Sequence, residues 1–271
     1  MKKYLILIIL FISASVYASM IMVSGGTRIT NDFSSDSTVK ALYNFEPSAL
    51  TTDSKASNTL TASGTPPTSY TVTYKQGNGA CDYELDNSEY HSIADASLPD
   101  GFPLKNNDAV KDITVCTWVN FESLSSTQGI FTKHEPGTNK RSFAMGVVND
   151  SGYKFYIALG YNSGADAEEY LHATGLSVST WYHVCASYQN SDKAYSIRVR
   201  DSSGNVVGTD IDGTATLDGS KLTVNTSPLM IGNLYDDPDN LYLDGRLDEM
   251  VIFNRKITAA EATKIALGTY P

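Results

Sequence analysis

From Val39 onward the chain is a succession of short apolar segments, each about the length of one β-strand, cut at close intervals by Gly, Asn, Asp, Pro and Ser. Segments such as "DITVCTWVNF", "GYKFYIALGY", "WYHVCASY", "AYSIRVRD" and "GRLDEMVIF" are rich in β-branched and aromatic residues and are too short for most helices. The turn clusters recur at roughly 8–15 residues, the rhythm of a two-layer β-sandwich. Such punctuation excludes helical bundles and the strand–helix alternation of nucleotide-binding sheets. Seventeen tyrosines, nine phenylalanines and twenty glycines suit pleated strands joined by tight turns. No repeat and no compositional break divides residues 39–271, so one all-β antiparallel domain is expected there. One short helix is expected at its end. Thr258 and Glu261 have the spacing of a capping box, and Gly268 follows the apolar stretch that reaches Leu267.

The first residues carry a different message. "MKKYLILIILFISASVYA" places Lys2 and Lys3 before an apolar run from Leu5 to Ile12 and ends on the small-residue pattern of a cleavage site after Ala18, so residues 1–18 read as a signal peptide. Residues 19–38 read as an N-terminal arm: an apolar piece from Met20 to Val23, then a polar linker. No later stretch reaches the roughly 18 apolar residues a membrane-spanning helix needs. The expected product is exported, extracellular or held at a cell surface, with no insertion into the membrane. Thirty acidic against twenty basic residues give a formal net charge of −10, which argues against nucleic acid and anionic membranes as partners.

Three cysteines in an exported chain allow one bridge and leave one thiol. Cys116 and Trp118 share one face of a strand, and Trp181 and Cys185 share one face of another. If both faces point inward, Cys116 and Cys185 bridge beside two large aromatics and pin the sandwich core, with His183 next to them. The rival pairings use Cys81, beside Gly79 at a strand entrance.

These segments carry a resemblance. "ITVCTWV" (113–119) and "WYHVCASY" (181–188) look like the disulfide-joined strands of pentraxins. "LMIGN" (229–233) with "LDGRLDEMVIFNRKITAAE" (243–261) looks like the closing segment of that branch, and "ALYNFE" (41–46) with "DSKASN" (53–58) is similar to the opening of laminin G-like secreted modules. Residues 39–267 therefore resemble the concanavalin A-like jelly roll, in its laminin G-like and pentraxin-like branch. The resemblance implies a two-sheet antiparallel jelly-roll sandwich that binds a glycan, or a protein, often with calcium. It also implies a structural calcium clasp, carried here by Asp53, the Asn58 carbonyl and Asp248; the alternative is that Asp248 and Glu249 only alternate across an edge strand, one of them paired with Arg246 or Arg255.

Other candidate sites come from the residues themselves. Asp236, Asp237, Asp239 and Asn240 make an oxygen-rich loop of the kind hard cations favour, or an ordinary solvated acidic turn. Tyr153, Tyr161, Tyr170, Tyr235 and Tyr242 are candidates to stack on sugar rings, Tyr161 and Tyr235 foremost. Glu84, Asp86 and Glu89 have the E-x-D-x-x-E spacing of laminarinase-like glycosidases, which resemble this chain in fold. Asn87 and Ser88 are turn formers, however, and break the continuous strand that catalysis there requires. No histidine pair has zinc-ligand spacing.

The expected function is non-catalytic recognition or adhesion, with a glycan or cell-surface glycoprotein as partner and calcium as a structural or bridging ion. Ligand contacts are expected from loops 134–140, 161–170 and 234–242. The alternative is a subunit of an extracellular filament or surface layer, a homo-oligomer joined by the arm or by a cross-link through Cys81.

Overall fold

The computed structural model describes residues 30–135, 140–161, 165–172, 175–217, 222–236 and 239–271. In chain order the strands are β1 (Val39–Tyr43), β2 (Thr61–Ser63), β3 (Thr68–Tyr70), β4 (Ala80–Tyr83), β5 (Tyr90–Ile93), β6 (Ile113–Phe121), β7 (Gln128–Glu135), β8 (Lys140–Asn149) and β9 (Tyr153–Tyr161). They continue as β10 (Asp166–His172), β11 (Trp181–Gln189), β12 (Ala194–Arg200), β13 (Ile211–Thr214), β14 (Leu229–Ile231), β15 (Asn233–Asp236), β16 (Asp239–Tyr242) and β17 (Gly245–Phe253), followed by the helix α1 (Ala259–Ala266).

Two large antiparallel sheets result. An eight-stranded sheet runs β13-β12-β11-β6-β17-β4-β3, with β1 also on β17, and a seven-stranded sheet runs β10-β9-β8-β7-β14-β5-β2. Strands distant in sequence are neighbours, as β6 is of both β11 and β17, which is the jelly-roll pattern. The hairpin β15–β16 stands apart as a third, two-stranded sheet. Period-two alternation sends one set of side chains between the large sheets: Val115, Val119 and Phe121 from β6, Phe143, Met145 and Val147 from β8, and Phe155, Ile157 and Leu159 from β9. Their intervening neighbours face outward. Among the described residues no helix is long and apolar enough to cross a membrane.

Cys116 and Cys185 are bridged, as expected, and stand directly opposite each other in the β6–β11 register. Their position corrects the inward-facing reading. Val115 and Val184 take the inner face, so the bridge lies on the outer face of the eight-stranded sheet, packed with Val251, Phe253, Ile257, Ala262 and Ile265 under α1. His183 is beside it, with Nδ1 3.9 Å from the Cys185 sulfur and its ring 5.1 Å from that of Trp118. Cys81 is buried in the inter-sheet core, where burial pushes its thiol far above the ordinary value, so it is not available to cross-link chains.

α1 begins at Thr258 with both halves of the expected capping box in place. The segment before β1 departs from expectation. The signal peptide and Met20 to Val23 lie outside the described residues, but residues 30–38 are not a loose linker. Phe33 is buried with its ring 5.2 Å from Tyr270 and 6.0 Å from Phe253. Asn31 donates to Glu249 and to the Ile265 carbonyl, and accepts from the Tyr270 N–H. Asp36 pairs with Arg255 and accepts from the Tyr270 hydroxyl. Phe33 and Asp36 thus hold this polar stretch against Phe253, Arg255 and Tyr270, and Asn31 ties it to the end of α1.

Candidate functional site

The outer face of the seven-stranded sheet carries a cavity of about 370 Å³. Its floor follows from alternation: with Phe143, Met145, Phe155 and Ile157 turned inward, β8 and β9 present Ala144, Tyr156 and Ala158 outward. Ala167 and Glu169 of β10 extend the floor to the sheet edge, with Asp166 at the start of that strand and Ala165 in the turn before it. His134 from the end of β7 and Arg141 from the start of β8 stand along one side. Leu234 of the β15–β16 hairpin closes the other, packed against Ala144, Tyr156 and Ala158.

Two glycines let these walls come together. A Cβ on Gly129 would sit 2.2 Å from the Leu234 nitrogen, so only glycine lets the hairpin lie against β7. A Cβ on Gly160 would sit 2.3 Å from the Arg141 backbone, so its absence brings β8 and β9 into close approach below the arginine. Thr132 ties the hairpin down by donating to the Asn233 carbonyl at 3.0 Å, and Gln128 accepts from the Asp244 N–H at 3.0 Å. Arg141 donates to the Ala165 carbonyl, which fixes its guanidinium against the β9–β10 turn.

The polar groups of the cavity differ in character. His134 is 5% exposed, and its Nδ1 has no hydrogen-bond partner among the described residues. Burial, with the nearby Arg141 charge, lowers its pKa to about 3, so the ring is neutral at any physiological pH. Arg141 supplies a cation, Asp166 and Glu169 two carboxylates, and Tyr156 a ring with a hydroxyl. The face as a whole offers donors, acceptors and an apolar floor within one ligand-sized space.

The three loops expected to carry ligand contacts, 134–140, 161–170 and 234–242, meet at this cavity through His134, Asp166 with Glu169, and Leu234. The particular residues differ. Tyr161 falls on the inward parity of β9 and packs against the inter-sheet core, as do Tyr153 and Tyr170, and Tyr170 stacks on Tyr195 at 4.1 Å. Tyr235, Asp236, Asp239 and Asn240 form the paired strands of the hairpin tip, with Tyr235 opposite Asn240 and Asp236 opposite Asp239; Asp237 lies outside the described residues. Sequence reasoning missed His134, Arg141, Tyr156 and Glu169. The run "SFAMGVV", alternating small and large residues opposite "KFYIALG", is the trace they left.

The acid triad falls on a turn and not on a strand. Glu84 follows β4, Leu85–Asn87 make a 3₁₀ turn, and Ser88 adopts a left-handed φ of 59° before β5. Glu89 is buried, accepts from the Glu84 N–H at 3.0 Å and from the Asn87 amide at 3.1 Å, and so closes the turn. The three carboxylates do not project from one continuous strand. Glu84 instead joins Asp82 and Glu122, and its pKa is raised by burial and then by Glu122 and Asp82. Arg246 bridges the latter two and stacks 3.7 Å from the Tyr70 ring, which makes this an ion-pair network.

The expected calcium clasp is divided between separate jobs. Asp53 accepts from the Leu42, Lys55 and Asn58 N–H groups and from the Asn58 amide, while the Asn58 carbonyl accepts from the Tyr43 hydroxyl. Asp248 accepts from the Lys75 and Gln76 N–H groups at 2.6 and 2.8 Å through one oxygen. Its other oxygen, one oxygen of Glu249 and the Gln76 side-chain oxygen are buried without a hydrogen bond among the described residues. Burial pushes Asp248 up to about 7 and Glu249 up to about 8, with the Asp248 charge adding to the latter. Glu46, Gln76 and Glu249 line a second cavity of about 180 Å³. Neither Arg246 nor Arg255 pairs with these two acids; Arg246 serves Asp82 and Glu122, and Arg255 serves Asp36 and Glu261.

Solved structures with this architecture are numerous. Domain 4 of AbnA, an extracellular GH43 arabinanase from Geobacillus stearothermophilus solved with arabinotriose, is 17% identical with a TM-score of 0.58, covering 84% of this chain and 98% of that one. The binding domain of botulinum neurotoxin DC, solved with rat synaptotagmin II, is 11% identical with a TM-score of 0.56 over 84% of this chain and 51% of that one. Tailspike protein 2 of bacteriophage CBA120 is 11% identical with a TM-score of 0.54 over 76% and 30%. No curated protein matches the chain in sequence. A laminin G-type family profile matches residues 86–263, from the turn after β4 into α1. With two-thirds of its length under that profile and the sandwich it predicts, the chain belongs to the concanavalin A-like lectin/glucanases superfamily.

Proposed function

We propose that this protein is an exported, non-catalytic carbohydrate-recognition module that holds a glycan in the cavity on the outer face of the seven-stranded sheet. The observation that carries this reading is the pairing of a small-residue floor, Ala144 and Ala158, with a ring of mixed donors and acceptors, His134, Arg141, Asp166 and Glu169. A sugar ring has the complementary surface: apolar C–H patches on its faces and hydroxyls around its edge. The arabinotriose held by the arabinanase domain places a sugar among the ligands this fold accepts. Glu169 lies opposite Ala158 on the outward face of β10, whereas Asp166 lies opposite Tyr161 at the other parity, so the two do not face each other as the paired carboxyls of glycoside hydrolysis must. The disulfide fits an extracellular setting and a cell-surface glycan or glycoprotein as partner.

The test is a broad glycan array probed with residues 19–271 and with the Ala167→Trp variant, which fills the cavity from its half-exposed edge. Specific signals from the native chain that fall at least tenfold in the variant, with an unchanged melting temperature, support the reading. Signals equal in both chains, or none, reject it.

Calcium enters as a structural ion. The residues that would hold it are Asp248, Glu249 and Gln76, each with a buried oxygen that has no hydrogen bond among the described residues, a better fit for a hard cation than the saturated Asp53. Bound there, it supplies the positive charge that this acidic group lacks. Glycan signals are accordingly expected to survive EDTA, provided the fold does.

A further inference from the structure

The cavity's charge, shape and one unmet buried group say what kind of glycan it takes, given the carbohydrate reading on which this step rests. Arg141 is the one cation among its described lining residues, against the carboxylates of Asp166 and Glu169, and the chain carries a net charge of −10. A sugar bearing a carboxylate, sulfate or phosphate would bring another negative charge into that surplus. Its space, about 370 Å³, lies near the low end for small-ligand clefts, between Leu234 at one end and the Ala165 turn, fastened by Arg141, at the other. Among the described lining residues Tyr156 is the single phenyl-type ring, and they form no row of aromatic platforms for a polymer to run across. An imidazole nitrogen buried without a partner is costly unless something completes it, and a neutral ring serves a hydroxyl as donor or acceptor according to tautomer.

We infer that the cavity receives the terminal residue of an uncharged glycan, and that Nδ1 of His134 reads one of that residue's hydroxyls. The anchoring is then end-on, with the rest of the glycan outside the cavity. Specificity rests on a group that a ligand lacking the right hydroxyl would leave desolvated and unpaired.

The experiment uses array glycans in two sets, one with uncharged non-reducing ends and one capped by sialic or uronic acids, followed by titration of monodeoxy forms of the best ligand. The expected result is binding confined to uncharged ends, lost in Ala167→Trp, with one deoxy position costing about tenfold in the native chain and nothing further in His134→Phe. Should His134→Phe fail to fold, His134→Leu serves for the same cycle. Binding confined to acid-capped ends but still lost in Ala167→Trp overturns this inference and leaves the cavity as the glycan site. A deoxy penalty that persists undiminished in the histidine variant removes His134 from the assignment. Binding insensitive to Ala167→Trp, or absent throughout, overturns the carbohydrate reading and this inference with it.

Discussion

Lys133 is 1% exposed, yet it is a lysine in the middle of a sheet. Its ammonium is 2.7 Å from Asp95 and donates to the Asn225 and Ser227 carbonyls at 2.7 and 2.9 Å, so one side chain holds together β7, the turn after β5 and the approach to β14. Burial lowers its pKa, and the Asp95 contact works against that shift. Replacing it by alanine strands the Asp95 charge, and a loss of about 3–5 kcal/mol is expected in urea denaturation. The disulfide is a second single-residue matter. Its sequence separation is 69, and in the chain-entropy model removing such a loop constraint costs about 4 kcal/mol. The Cys116→Ser, Cys185→Ser double variant should show that loss at equilibrium, and if it melts with the native chain the bridge contributes nothing measurable. The cysteine pair was legible because two strands each announced it with a tryptophan at even spacing. Lys133 was not, because nothing in "IFTKHEP" says which face a lone lysine takes or that Asp95 will meet it.

At the scale of elements, the docked segment before β1 behaves as a clasp. Asp36 loses solvation there, but bonds from Thr38, Tyr270 and Arg255 outweigh this and hold its pKa at about 2. A carboxylate whose folded pKa lies below its unfolded value, about 3.9, stabilises fully above that value and loses its contribution as the pH falls towards 2. The native chain should therefore melt on the order of 5 °C above Asp36→Asn at pH 6, with the gap closing by pH 2. A constant gap across that range would mean that the clasp works through packing of Phe33 and not through this charge. The helix was readable from its own cap, and the long strands from their alternation. β10 was not: its residues are half-exposed on both faces, as an edge strand's are, so "DAEEYLH" shows no period. The cavity was hidden for a related reason. Its residues sit on β7, β8, β9, β10 and β15, and only hairpin register brings Tyr156, Ala158 and Glu169 side by side.

The whole molecule sets two faces of unlike chemistry on one core. Near the start of the eight-stranded sheet's closing strand, Asp248 and Glu249 are buried with raised pKa values, about 7 and 8. In the absence of metal the folded chain keeps protons there that the unfolded chain releases near pH 4, so stability falls as the pH rises from about 4 to 8. In EDTA the melting temperature should drop by on the order of 5 °C between pH 5 and pH 8, and calcium should restore it most at the higher pH, where it competes with fewer protons. A melting curve indifferent to calcium at pH 8 would remove the ion from this account. Thr30 and Pro271 are both gathered on that side, where Asn31 meets Tyr270 and the bridge lies under α1, whereas His134 and its neighbours open on the opposite side of the sandwich. The molecule thus has a back and a front. A linker, anchor or affinity tag joined after Pro271 pulls from the back, so a surface coated with this protein in that way displays its cavities outward, and many copies on one surface can engage a branched or repeated ligand together.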